Sequence, residues 1–553
     1  MSNDQISAAH NQPISRRTLV QAGFATGSAA AVALGLGSAP AALAQSTPEP
    51  ASPAPIVATP AGTFAPQTGI QRDEMIIGVQ ALPETLDPAR ELSNVGSRVS
   101  YTPYDTLIRR DFLNGDVYVP ALAMGWQQVS ETELVLQLRQ NVTFHNGDPL
   151  TADDVVFTFE RIFRAATDDA EIVEAGTYFS TLSAVTKVDD YTVSITTTAP
   201  DPLLVNRLAS WAAWIVPKAY IERVGVEEFR RSGMGTGPFR FASFSPDDEL
   251  VLERYDGYWD TPSPVGRIVF RVIPEVAARM TALANGEVQL VTNVPPDQVA
   301  SLQETDGVEI REVVLSNTHV LQYNTNNPLL ADRKLRQAMN LGIDRQLIID
   351  AVWGGTARAK RGHQFPEFGY LYNENRPLTP FDPDRARQLL AESTYNGETI
   401  PYRLRGGYYT LGEQVGQVIV QMWQDIGINA ELEIGDVSVD GPDRVVQTWS
   451  NSSILADPDG AIWRGWGRES GVQKQYWTAP EAFNTLGDQA RTTLDHDVRY
   501  ANYQQMLDIW EDEAPGTVLY DPAEFYAVST PVNWTPYPLY NMDLRAYNLS
   551  FNE

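Results

Sequence analysis

The residues predict a mixed α/β fold, and three observations carry the prediction. Glu413 to Asp425 puts Val415, Val418, Ile419 and Met422 on one helical face, stops at Gly427, and runs into Ile428, Ala430, Leu432 and Ile434 at strand spacing. Helix, glycine turn and strand together form an α/β unit. Thr132 to Arg139 alternates, with Leu134, Leu136 and Leu138 on one face. The turn Asn146-Gly147-Asp148-Pro149 and the capping box Thr151-Ala152-Asp153-Asp154 follow, opening a helix with Val155, Val156, Phe159, Ile162 and Phe163 on one side. The chain has 553 residues, 43% hydrophobic and 10% aromatic, which is enough to build cores and far from the apolar-poor composition of disordered chains.

In chain order, residues 1–44 stand apart from this fold. A polar start, the pair Arg16-Arg17, an uncharged Ala/Gly-rich run from Ala22 to Leu43 and then Ala42-Leu43-Ala44 read as an export signal, cleaved before Gln45. Ser15-Arg16-Arg17-Thr18-Leu19-Val20 is similar to the twin-arginine export box. An ordinary secretory signal and an uncleaved membrane anchor are the alternatives. Residues 45–69, dense in Pro, Ala and Thr, read as a disordered tether. The folded body then runs from Ile70 to Glu553. Met75 to Val79 is a first strand, ended by Pro83 in the loop LPETLDPA. Tyr191, Val193 and Ile195 alternate, and Gly235-Thr236-Gly237-Pro238 breaks the chain before strands at Phe239–Phe244 and Leu250–Arg254. Further on, Asp332 starts one helix, Asp344 caps the next before Gly354-Gly355, and Asp382 with Pro383 opens a third.

Charge and composition exclude several functions. Lys plus Arg number 41 against 70 Asp plus Glu, a net charge of −29 that repels phosphate backbones, so no nucleic-acid partner is expected. The absence of cysteine removes disulfides, thiolate metal sites, cysteine nucleophiles and a lipidated N-terminal cysteine. His10, His145, His319, His363 and His496 are too scattered for a helical zinc motif, so no metal or cofactor is expected. GMGTGPF is not followed by a helix and reads as a structural turn, not a phosphate cradle. Asp457-Pro458-Asp459-Gly460 lacks the regular ligands of a calcium loop and reads as a turn too. Asp153-Asp154 sits in a capping box and Glu511-Asp512-Glu513 on a helix, which argues against paired catalytic carboxylates. No G-x-S-x-G elbow is present.

Several blocks, in order, resemble the family 5 extracellular solute-binding proteins of ABC importers, the group of oligopeptide-, dipeptide- and nickel-binding proteins. They are LQLRQNVTFHNGDPLTADDVVFTFERI (Leu136 to Ile162), GTGPF (Gly235 to Phe239) and YNTNNPLLADRKLRQAMNLGIDRQLI (Tyr323 to Ile348), then DPDRARQLLAE, the turn IGI at 426 to 428, ADPDG at 456 to 460 and APGTVLYDP. The resemblance spans residues 74 to 550. It implies a two-lobed periplasmic-binding-protein clamp of type II-like α/β architecture, with a subdomain inserted in the first lobe. Mapped here, lobe 1 is 70–316 with its subdomain at about 109–195, lobe 2 is 317–515, and 516–553 returns to lobe 1. The hinge crossings are expected near Leu321 to Thr325 and Val518 to Asp521. The implied function is to capture a small solute, a peptide, an oligosaccharide or similar, outside the cytoplasm and deliver it to a membrane permease with its ATPase. The protein would be a monomer without catalytic activity. A secreted carbohydrate-active hydrolase, and a ligand sensor or chaperone on the same fold, are the rival readings.

The resemblance also places a candidate site. Trp449, Trp463, Trp466 and Trp477 fall within 29 residues among Gly, Ser and Asn without helical period, as core or as a ligand surface on loops. In the family's peptide binders this neighbourhood supplies an acid that pairs with the peptide's α-amine, whereas Ser450 to Leu455 here contains no carboxylate. Arg405, Tyr408 and Tyr409 occupy the position where dipeptide binders place an arginine for a carboxylate and a tyrosine as a wall; surface arginines offsetting the acidic charge are the plain alternative. With Asn94, Ser450, Asn451 and Asp457 they complete the candidate ligand residues, and the expected ligand is neutral or anionic at one end, not a zwitterionic free peptide.

Overall fold

A computed structural model describes residues 65–165, 174–435 and 441–553. The expected export signal and most of the expected tether, to residue 64, lie outside the described residues. The last residues of the expected tether are tied to the C-terminus: Gln67 N–H donates to Ala546 O (2.9 Å) and Ile70 N–H to Phe551 O (3.0 Å). A polar side chain at Gln67, whose amide also reaches Tyr547 O, carries ordering that a Pro/Ala/Thr count does not register.

Strand Arg72–Val79 lies inside a seven-stranded sheet, parallel to Val265–Val272 and Leu290–Val291. Its alternate residues Met75, Ile77 and Val79 are fully buried, at roughly 2 kcal/mol per large side chain removed from water. A separate four-stranded antiparallel sheet contains Glu133–Leu138 and Thr192–Thr197. Its Leu134, Leu136 and Leu138 share one apolar cluster with Val155, Phe159 and Ile162 of helix Ala152–Ala165. The Asp154 carboxylate accepts from the Thr151 N–H (2.9 Å) and hydroxyl (3.1 Å), the reciprocal half of a capping box. His145 joins two of the sequence blocks. Its Nδ1 accepts from Gly235 N–H (3.3 Å), so Nε2 carries the proton donated to Gly237 O (3.1 Å). Gly237 packs so closely that a Cβ there would stand 2.1 Å from Thr102 O, which makes the glycine cluster a structural turn.

The second large sheet has six strands, ordered Arg358–Ala359, Gly516–Asp521, Asn317–Tyr323, Val446–Ser452, Ile400–Arg405 and Ala430–Gly435. Helix Gly412–Asp425 covers it with Val415 and Ile419 buried, while Val418 and Met422 are half-buried. Trp423 is fully buried there as well, and its indole N–H donates to Met339 O at 2.8 Å. Ile434 is 51% exposed because its strand is the sheet edge. The caps stand as read: the Asp332, Asp344 and Asp382 carboxylates accept the N–H groups of Lys334, Leu347 and Arg385.

The chain passes between the two large sheets at different residues from those expected. Val308–Val314 pairs in the seven-stranded sheet and Asn317–Tyr323 in the six-stranded one, so the first passage is Leu315-Ser316. Gly516–Asp521 still pairs with Asn317–Tyr323, and Ala523–Ser529 belongs to the other sheet, so the return is Pro522. Leu315 N–H donates to Pro522 O at 3.0 Å, which sets the passages side by side. Leu321 and Val518 are mid-strand, and the expected crossings at 321–325 and 518–521, with the return from 516, are corrected accordingly. The physical signal was Pro522, which has no N–H to give a ladder and so ends the strand.

Candidate functional site

Ligands of open α/β sheets sit beyond the carboxyl ends of parallel strands, and both large sheets point such ends at one place. Arg72–Val79 runs into the loop holding Glu84, Arg90 and Glu91. Ile400–Arg405 and Val446–Ser452, themselves parallel, end at Arg405 and at Ser450 to Ser452. Between them lies a cavity of about 420 Å³ lined from both sides. A second cavity of about 690 Å³ adjoins it, bounded by Arg405, Tyr408 and Tyr409 and also by Glu275, Asp297 and Glu413.

The first cavity carries five charged side chains, and three are engaged. The Glu91 carboxylate accepts from Ser93 N–H (3.0 Å). Arg90 stands 3.9 Å from the Asp87 carboxylate. Arg464 donates to Asn451 Oδ1 (2.8 Å), its guanidinium 5.3 Å from the Tyr178 ring and 5.9 Å from that of Trp449. The other two are Glu84 and Arg405, both exposed, from opposite sides. The Arg405 guanidinium lies 4.7 Å over the Tyr408 ring and, among the described residues, pairs with no carboxylate. Tyr408 meets Tyr409 edge to face at 4.8 Å. Burial pushes the Tyr409 hydroxyl well above its usual range, so it stays protonated beside Ser450, to which it is hydrogen-bonded. Burial also holds the His319 ring, edge-on to Tyr409 at 5.0 Å, down to about 3, so no imidazolium forms behind the cavity wall at neutral pH. Among the described residues no three His, Asp or Glu side chains gather as a metal site.

Of the nine residues singled out in the sequence, Asn94, Arg405, Tyr408, Tyr409, Trp449 and Ser450 line this cavity. Asn451, Asp457 and Trp466 do not line it. Asn451 is fully buried and acts one step back, holding Arg464 and donating to Ala461 O at 2.8 Å. Asp457 is buried against Arg499 (2.8 Å) and accepts Asp459 N–H (2.9 Å), the cap of a short turn. Trp466 is fully buried between Trp477 (6.2 Å) and Trp510 (5.2 Å), with Trp463 also in that cluster. Trp449 lies on a central strand, not a loop. Its strand was hidden by polar residues: Gln447, Thr448, Ser450 and Ser452 all line the cavity, so apolar alternation is absent.

The sequence reading missed Glu84, Arg90, Glu91, Tyr178, Trp211 and Arg464. The first three occupy the LPETLDPA loop and the residues just after it. The place of that loop after the first strand was the available signal; Tyr178, Trp211 and Arg464 come from separate elements with no motif to join them.

Comparison with known proteins agrees with this architecture. The family described as bacterial extracellular solute-binding proteins, family 5 Middle, matches residues 117–479. The dipeptide-binding protein of Escherichia coli is 26% identical over 485 residues, covering 81% of this chain and 89% of that protein. Heme-binding protein A of Haemophilus influenzae is 28% identical over 350 residues, 59% of this chain and 63% of that one. Among solved structures, the periplasmic binding protein DppA of Helicobacter pylori with peptide STSA superposes with TM-score 0.80 at 22% identity, over 88% of this chain and 99% of that chain. The binding protein AgaA of A. tumefaciens with agropinic acid does so with TM-score 0.78 at 22% identity, over 87% and 99%. At these identities the structural likeness is one of fold.

Proposed function

The chain belongs to the family 5 bacterial extracellular solute-binding proteins, and from that premise we propose that it captures a short peptide-like solute in the 420 Å³ cavity and delivers it to the membrane permease of an ABC importer. The observation that carries the ligand class is Arg405, a cation at the cavity that pairs with no carboxylate among the described residues, with the half-buried Trp449 beside it. A guanidinium fork suits a carboxylate and a flat ring suits an apolar side chain. The segment from Ser450 to Leu455 offers no acid for an α-amine. The ligand is therefore anionic or neutral at one end and uncharged where a peptide would carry its amine. Relatives named for dipeptides, and a fold neighbour holding the peptide STSA, support the peptide-like class. The family consists of transport binding proteins, so the hydrolase reading is not favoured.

Calorimetry with acetylated and free tri-alanine tests this reading. The acetylated peptide should bind the wild type more tightly, and Arg405→Ala should weaken it by about 1.5 to 3 kcal/mol, the scale of a charge-assisted hydrogen bond. Tighter binding of the free peptide would put the amine against Glu84 or Glu91 on the facing loop and overturn the blocked-amine reading.

The same reading places the protein outside the cytoplasm as a monomer, exported through the twin-arginine signal at residues 1–44. Replacing Arg16 and Arg17 by lysine should stop export of a reporter fused after Gly69; unchanged export would point to an ordinary secretory signal.

A further inference from the structure

The stretch of chain between the two passages meets the stretch before them at a second place, and there the contact is ionic. Helix Leu204–Leu208 precedes the first passage and packs, with Tyr178, in the apolar cluster of the four-stranded sheet. The turn Pro458–Gly460 follows strand Val446–Ser452 and so lies between the passages. Asp459 of that turn joins the two. Its Oδ2 accepts from Arg207 Nη2 at 2.5 Å, and its Oδ1 stands 2.6 Å from Arg491 Nε, so one carboxylate bridges a cation from each stretch. All three side chains are buried. Arg207 is held on its own side, Nε donating to Asp201 (2.8 Å) and Nη1 to Tyr178 O (2.7 Å), while Arg491 reaches across to the Ser180 hydroxyl. Asn206 Nδ2 donates to Leu455 O at 2.9 Å, and Ile454 and Leu455 enter the apolar cluster around Leu204 and Leu208. The seam runs up to the ligand cavity: Arg464 donates to Gly460 O (3.4 Å) and lies 5.3 Å from the Tyr178 ring, and both of these side chains line the cavity.

An apolar seam would gain from closing in almost any register, because hydrophobic contact is non-directional. A buried ion pair gains little net energy over its separated, hydrated partners, yet only one geometry satisfies it. Such a pair fixes where two surfaces meet without holding them shut. We propose that Asp459 is a positioning residue for ligand capture: its bridge between Arg207 and Arg491 sets the register in which the two stretches close, and so brings Tyr178 and Trp211 against Trp449 and Arg464 to complete the cavity wall. Asp459 does not line the cavity and acts only through this register. Because the seam satisfies its own charges, the closed arrangement forms in the solute-free protein as well, and the inference holds whatever solute the cavity takes. In Asp459→Asn the two guanidinium groups would face each other with no anion between them, a state that separation and hydration relieve.

The test measures a distance and uses no solute. The chain has no cysteine, so Val188→Cys and Leu494→Cys, at exposed positions on either side of the seam, carry one spin label each. Double electron–electron resonance of the solute-free protein should show a short, narrow distance component for the closed register. Asp459→Asn should reduce that component relative to the longer distances by at least about tenfold, since removing one partner of a buried pair strands the other charges. A residue that only stabilises its own turn would lower the melting temperature and leave the distances as they were. If Asp459→Asn does not fold, Asn206→Ala serves; it removes the neighbouring bond to Leu455 O without changing any charge, and the short component should shrink by a smaller factor. Distances unchanged in the folded variant, or no short component in the wild-type background, would overturn the positioning role and leave the peptide-like reading of the cavity standing.

Discussion

Trp449 and Trp466 have ring centroids 6.3 Å apart, yet their truncation should be felt in different measurements. Trp449 is half-buried at the cavity, so Trp449→Ala should weaken ligand binding by about 1 to 3 kcal/mol with a small change in melting temperature. Trp466 is fully buried among other rings, so Trp466→Ala should cost about 3 to 5 kcal/mol of folding stability in a denaturant titration. The reverse pattern would place the ligand site elsewhere. This contrast also marks what a residue reveals before its fold is known. An aromatic cluster among Gly, Ser and Asn announces ring contacts, but the same rings serve a core or a ligand, and only the neighbouring strand decides which. Asn451 and Asp457 were legible as polar residues near a site; that one holds Arg464 and the other Arg499 is a property of elements distant in sequence.

At the level of elements, helices with caps at Asp332, Asp344 and Asp382 were readable because a cap and a 3.6-residue period are local. The strand Val446–Ser452 was not, because a strand facing a polar cavity has no apolar alternation to display. The link between the Phe144-His145 turn and the glycine turn is a third case: both segments were found, but not their junction. That junction has a pH signature. Burial depresses the His145 imidazole to about 4, while the unfolded chain titrates near the ordinary 6.5. The unfolded state therefore binds the proton first as pH falls. The contribution of His145 is complete above pH 6.5 and is lost progressively down to about pH 4, amounting to roughly 3 kcal/mol. Thermal unfolding between pH 7 and pH 4.5 should show falling stability, with a shallower fall in His145→Gln. His319 and His363, each held down to about 3 by burial, add to the same trend and remain in that variant. An identical slope in wild type and variant would show that His145 takes up its proton at the same pH in the fold as in the unfolded chain.

Across the whole molecule, two sheets are joined by two neighbouring passages, Leu315-Ser316 and Pro522, and the cavity lies where the parallel strands of both sheets end. Family-like blocks from residue 136 onward made the two-lobed plan legible in the sequence; the exact passages were not, because strand character continues almost through each of them. A ligand touching both sides is bound best when the sides approach, so binding should shift the population toward a more compact form. The most direct test is small-angle scattering of the protein with and without its co-purified ligand, with saturation verified by calorimetry. A radius of gyration that falls on saturation is the predicted result; a radius unchanged at verified saturation would contradict a ligand held between the two sheets.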